Sequence, residues 1–165
     1  MTDIEKNLLK IDLCCRLPYN VKVHAKYTDL GETIELDGIV KMIDTDGFVG
    51  IQVMYDISSS FICVDIDNVK PYLFPLSSMT EEQRKEFLEI SHLENRSFYN
   101  GEKEIEIVSN EVWAFDLGGD ADIEYRSIDI KRIRETVKWL NKNHFDWRGL
   151  IPMGLAEDAT NKNIY

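Results

Sequence analysis

The sequence predicts an α+β fold: a small SH3-like antiparallel β-barrel or curled sheet with an N-terminal helix, followed by two helices and additional strands. Three observations carry this. Apolar residues recur at helical spacing up to Arg16, strict alternation takes over from Val21, and turn signals at Gly31 and Asp44-Thr45-Asp46-Gly47 divide the chain from there to Ile66 into short strands. So few strands enclose a core best by curling. A half-open sheet packed on the first helix reads almost identically. Residues 1–75 are expected to hold the helix and barrel, and residues 76–165 a helical and strand elaboration packed on it as one structural unit.

Thr2-Asp3-Ile4-Glu5 reads as a capping box. Ile4, Leu8, Ile11 and Cys15 then form a stripe widened by Leu9 and Leu13, and the helix stops near Arg16 because Pro18 disfavours helical geometry in Leu17. Val21, Val23, Ala25 and Tyr27 alternate with Lys22, His24 and Lys26, the pattern of a half-buried strand. A second strand is expected over 33–43 with Gly38 as a bulge, a third from Phe48 to Tyr55, and a fourth from Phe61 to Ile66. Thr80 with Gln83 offers another capping box for a helix from Glu81 to about Glu94. Alternation at Ile105 and Ile107 and an extended look at 112–115 suggest further strands before a third helix over 130–143. That helix carries Ile130, Ile133, Val137 and Leu140 on one face, with His144 continuing it. The tail after Phe145 reads as a loop, yet Phe145, Trp147, Leu150, Ile151, Met153 and Leu155 are too many large apolar groups for a free peptide, so docking is expected.

The formal net charge is −11, spread over the chain: residues 1–75 carry 7 Lys/Arg against 12 Asp/Glu, and residues 76–165 carry 12 against 18. Such a field opposes binding to a phosphate backbone and favours a basic partner. The three cysteines, Cys14, Cys15 and Cys63, are odd in number and include a vicinal pair, which suits a reducing compartment better than a disulfide scaffold. No secretory signal and no long apolar span are visible, so a cytoplasmic protein without a membrane association is expected.

The cysteines lack paired metal-ligand spacing and read as small buried apolar residues. His144 beside Asp146 has no Ser or Cys nucleophile in a recognisable elbow and reads as a packed or capping histidine. By composition the best metal candidates are Asp116, Asp120, Asp122 and Glu124, the last three alternating as they would along one face of a strand. They do not follow the EF-hand order, and a solvated turn accounts for them. Phosphate-cradling glycine loops are absent. No cofactor is expected.

Tyr19, Tyr27, Tyr55 and Tyr72 are spread over the barrel segment, and exposed aromatics on such barrels hold extended peptides. Asp146, Trp147 and Arg148 are further candidate binding residues, since a guanidinium at the rim of a docked tail suits carboxylate or aromatic partners.

Three blocks of sequence stand out together: Leu17-Pro18-Tyr19-Asn20-Val21-Lys22-Val23, Val69-Lys70-Pro71-Tyr72-Leu73-Phe74-Pro75-Leu76-Ser77-Ser78-Met79-Thr80, and 139–156. In these blocks the chain resembles a family of uncharacterised small proteins from gut anaerobic bacteria and their phages or other mobile elements. The resemblance implies a bacterial or phage cytoplasmic setting and brings no activity, cofactor or catalytic residue with it. The expected function is a non-enzymatic module that binds a protein partner. Two alternatives are an acidic, nucleic-acid-mimicking inhibitor of a host enzyme and a metal-assisted hydrolase at the 116–124 acids.

Overall fold

Thr2 caps the first helix as its sequence predicts: Glu5 N–H donates to the Thr2 hydroxyl at 3.3 Å, and Thr2 N–H to the Glu5 carboxylate at 2.7 Å. In the computed structural model, which describes residues 1–54, 61–91 and 130–165 apart from the side chains at 130 and 132, this helix is α1, Asp3–Arg16. Its buried face is Leu9, Asp12, Leu13 and Arg16, while Ile4 and Ile11 are exposed. The stripe is therefore rotated from the apolar one. An ion pair one helical turn apart takes the inward positions, and Asp12 and Arg16 are each fully buried. Cys14 and Cys63 are exposed and Cys15 partly so, which corrects the expectation of three buried thiols.

A 3-10 turn at Leu17–Tyr19 and left-handed Asn20 lead into β1, Lys22–Asp29. Leu30 and Gly31, both at positive φ, reverse the chain into β2, Glu32–Ile43, with Asp29 opposite Glu32. The Asp44 carboxylate accepts from Asp46 and Phe48 N–H across the next turn into β3, Phe48–Val53. β4 is Phe61–Asp65, and a 3-10 turn at Ile66–Asn68 delivers β5, Val69–Leu73. Gly38 is not the bulge. It pairs regularly with Val23 and Val53, and the register shifts between Val40 and Met42 instead. Glycine at 38 answers to crowding, since a Cβ there would lie 2.3 Å from Ile51 Cγ2 and 2.6 Å from the Gln52 carbonyl oxygen.

The strand order is β4-β3-β2-β1-β5-β6, where β6 is Glu157–Asp158. Every pairing is antiparallel except β5 with β6, so the sheet is mixed. It is not closed. The outer side of β5 is taken by β6 from the C-terminal segment rather than turned back toward β4, so the closed form of the barrel is not what the chain adopts.

α2 spans Glu81–Ser91 and α3 spans Ile130–Lys142. The strands anticipated between them lie outside the described residues. α3 does not run on through His144. It ends in a Schellman arrangement, with Phe145 N–H on the Leu140 carbonyl at 3.0 Å, His144 N–H on that of Asn141 at 3.2 Å, and His144 itself left-handed at φ 58. The chain thereby turns into the bridge between Phe145 and Phe74.

One face of the sheet packs on α1 around Leu9, Leu13, Val23, Val40 and Ile51, and Leu150 and Leu155 from the C-terminal segment enter the same core. A second cluster joins Phe87 of α2 to Trp139 and Leu140 of α3 and to Phe145, whose ring stacks on Trp139 at 5.6 Å. The segment after α3 is thus docked, although Met153 remains 44% exposed. Among the described residues no helix is long and apolar enough to cross a membrane.

Candidate functional site

Two groups of polar side chains compete for a functional reading, and they differ in access. The first fastens the C-terminal segment to α1. Arg16 donates to both Asp12 oxygens at 2.7 and 3.1 Å and to the Phe145 carbonyl at 2.8 Å. Arg148 Nε reaches Asp12 Oδ1 at 3.1 Å, its Nη2 lies 3.6 Å from Cys15 Sγ, and its guanidinium sits 4.0 Å over the Trp147 ring. The Trp147 indole donates to Asn141 at 2.8 Å. Asp146 accepts the N–H groups of Leu150 and Ile151, each at 2.8 Å, and so holds the turn through Gly149. Burial pushes the Asp146 carboxyl above the usual carboxylate range, and those two backbone donors pull it partly back.

His144 stacks on Tyr165 at 4.2 Å. Burial, with the Arg16 and Lys22 charges beside it, lowers its pKa to about 4. The Tyr165 hydroxyl accepts from Lys22 N–H at 3.1 Å and donates to the Tyr72 carbonyl at 3.0 Å, and burial pushes it up to about 12. With Asp12 and Arg16 fully buried and Asp146 at 2% exposure, the centre of this network has no room for a substrate. It is a fastening.

The second group is open to solvent, on the sheet face turned away from α1. His24 Nδ1 lies 3.0 Å from Asp37 Oδ1, and the Tyr72 hydroxyl donates to the same oxygen at 2.7 Å. Glu35 approaches His24 Nε2 at 3.7 Å and accepts from Lys26 at 2.5 Å. Beside them is an open recess of about 430 Å³, lined by His24, Glu35, Leu36, Asp37 and Val53, where β3 stops and β2 continues paired with β1. Farther along the same face Met42, Phe48 and Phe61 are 42%, 45% and 50% exposed, with the Phe61 ring lying across Gly50. They end at β4, which pairs with β3 alone among the described residues.

Of the residues singled out by sequence, Asp146, Trp147 and Arg148 come together in the fastening, where Asp146 holds the turn, Trp147 bonds Asn141 of α3 and Arg148 faces inward to Asp12. Tyr72 is 4% exposed, so it orients Asp37 and offers no ring to a ligand. Tyr19 is half-buried in its 3-10 turn, and Tyr27 packs against the sheet core. These tyrosines do not line one groove. Tyr55, Asp116, Asp120, Asp122 and Glu124 lie outside the described residues, and among the described residues no three His, Cys, Asp or Glu side chains are placed to hold a metal. Sequence reasoning missed Asp12, Arg16 and the His24–Asp37 pair. The i,i+4 spacing of Asp12 and Arg16 beside Leu9 and Leu13 is the signal that could have found the first two. Comparisons of the chain with protein-family models, with curated proteins and with solved structures give no match.

Proposed function

We propose that the chain is a non-enzymatic protein-binding module of a bacterium, phage or mobile element, and that it meets its partner through the sheet face opposite α1. The observation that carries this is the strip of Met42, Phe48 and Phe61, three large apolar side chains exposed beside β4, which is an edge among the described residues. Edge strands that are meant to stay unpaired carry Lys, Pro or a bulge, and Phe61-Ile62-Cys63-Val64-Asp65 has none of these. The SH3-like reading of β1–β5 belongs to the same proposal. It is supported by the antiparallel meander from β1 to β4, by the pairing of β5 with β1, and by the 3-10 turn that precedes β5. The nucleic-acid-mimic alternative draws no support from the described surface, because Glu35, Asp67, Glu81 and Glu157 sit beside Lys26, Lys6, Lys85 and Lys162 instead of forming an unbroken row.

Affinity capture from host lysate, run in parallel on the wild-type chain and a Phe48→Ser/Phe61→Ser variant, tests the proposal. A specific protein held by the wild type and lost by the variant is expected. No specific partner, together with turnover in a broad activity screen, would overturn the module reading, and a partner held equally by both chains would overturn the surface.

A further inference from the structure

β4 offers backbone hydrogen-bonding groups on two sides, and β3 takes only one of them. Ile66 N–H donates to the Gly47 carbonyl at 2.9 Å, one step beyond the Phe48–Asp65 pair. In an antiparallel ladder that makes Phe48–Asp65 a non-hydrogen-bonded pair, so Ile62 and Val64 turn their N–H and C=O groups toward β3, whereas Phe61, Cys63 and Asp65 turn theirs away from it. Those outward donors and acceptors have no partner among the described residues. Side chains follow the same alternation: Ile62 and Val64 go to the core, while Phe61, Cys63 and Asp65 are exposed on the other face together with Met42 and Phe48. The open side of β4 therefore reads, in order, as an aromatic ring, a small thiol and a carboxylate.

We infer that β4 receives an extended segment of the partner as an added antiparallel strand, with apolar side chains beside Phe61 and Cys63 and a lysine or arginine against Asp65. The inference rests on the protein-binding reading above and names the form and chemistry of what binds. Main-chain bonds to the outward groups of Phe61, Cys63 and Asp65 supply affinity, and the alternate side chains supply specificity. Those side chains fall on the face of Met42, Phe48 and Phe61, so the same strand covers the exposed apolar strip. The Asp65 carboxylate is steadied by the Asp67 N–H at 2.9 Å, while Lys6 forms its ion pair with Asp67 instead. A cation directly across from Asp65 is thus a favourable cross-strand pair. An antiparallel ladder is the more stable of the two directions. A second copy of the chain fits less well, because each copy carries a net charge of −11 and pairing β4 with itself about Cys63 would set Phe61 against Asp65.

The probe is the blocked peptide acetyl-Lys-Thr-Val-Thr-Ile-amide, titrated into isotopically labelled full-length chain and followed by NMR. In the free, dilute chain the amides of Phe61, Cys63 and Asp65 should exchange with solvent quickly and those of Ile62 and Val64 slowly. Saturable shifts centred on β4 are expected with the peptide, and at saturation the three fast amides should become protected. N-methylation of the peptide valine removes the N–H that meets Cys63 and should abolish saturation, whereas N-methylation of the first threonine, whose N–H faces away, should change binding by no more than about twofold. Asp65→Asn keeps the acceptor for Asp67 N–H and should weaken binding about threefold. Equal binding by the two N-methyl peptides, or no saturation up to about 10 mM, would overturn the inference. So would protection of the Phe61, Cys63 and Asp65 amides in the free chain, which at any dilution would assign the edge to the chain itself and only at high concentration to a second copy. If the probe fails while wild type still captures a partner that Phe48→Ser/Phe61→Ser loses, the added strand falls and the module reading stands.

Discussion

Lowering the pH from 7 to 4 should cost the folded chain about 3 kcal/mol through His144 alone. In the native state burial, then the Arg16 and Lys22 charges, take this imidazole from 6.5 to about 4. Between those two values the unfolded chain binds a proton that the folded chain refuses. Stability therefore rises with pH across that window and is lost on the way down, and below about 4 both states are protonated and the loss is complete. A shift of roughly 2.5 pH units at 1.36 kcal/mol each sets the ceiling, slightly above 3 kcal/mol. The assay is urea denaturation in half-unit steps from pH 7 to pH 4, on wild type and His144→Asn. Asparagine is chosen because the residue sits at φ 58, a conformation that asparagine tolerates well. Loss of the stacking on Tyr165 offsets the variant by a constant, whereas the titration changes its slope. Asp146 acts with the opposite sign: its carboxyl is raised by burial, so its contribution falls as pH climbs through its native pKa, and it does so in both chains. Parallel profiles for the two proteins would refute the argument.

Other perturbations draw on the same geometry. Asp146→Ala removes two charge-assisted bonds at 2.8 Å and should cost about 2–4 kcal/mol by denaturant melting; a loss under about 1 kcal/mol would mean that the 146–151 turn holds itself. Arg16→Met strands the buried Asp12 carboxylate and should cost about 3–5 kcal/mol, whereas Arg148→Met leaves Arg16 in place and should cost under about 1.5 kcal/mol. Equal losses would show that Arg148 is the main counter-charge. Gly38→Ala drives a Cβ against the Gln52 carbonyl oxygen and should cost more than about 2 kcal/mol, but Gly50→Ala meets mainly the far end of the Phe61 ring, which can swing outward, and should cost about 1 kcal/mol. The reverse order of their melting temperatures would contradict the crowding described at the two sites.

How much was legible depended on whether local chemistry decided the outcome. Alternation through Val21, Val23 and Ala25 placed the core face of β1 correctly, and the capping box and the Asp44 turn formed as their residues require, because each rests on contacts within a few positions. The face of α1 was misread because hydrophobicity assigns Asp12 and Arg16 to solvent, and only Phe145 and Arg148, from the far end of the chain, make their burial favourable. Sheet closure stayed open between a barrel and a half-open sheet for a related reason. Nothing near Glu157 and Asp158 reads as a strand, and they become one only because β5 offers an edge. The His24, Asp37 and Tyr72 grouping joins three strands, and no spacing within a single segment announces it.

The fastening of α1 to Phe145 and Arg148 also sets an order of events during synthesis. A ribosome releases Arg16 129 residues before Phe145 and Asp12 136 residues before Arg148, so the nascent helix waits for its counter-contacts. At roughly 5–20 residues per second, the stretch from Leu73 to Leu150 takes on the order of ten seconds to make. Throughout that interval the face of the young sheet that Leu150 and Leu155 will cover stands open to water and to other chains. Slowing elongation over this stretch should lengthen the exposure and increase dependence on holding chaperones, a cost borne by the unfinished molecule and invisible in the finished one.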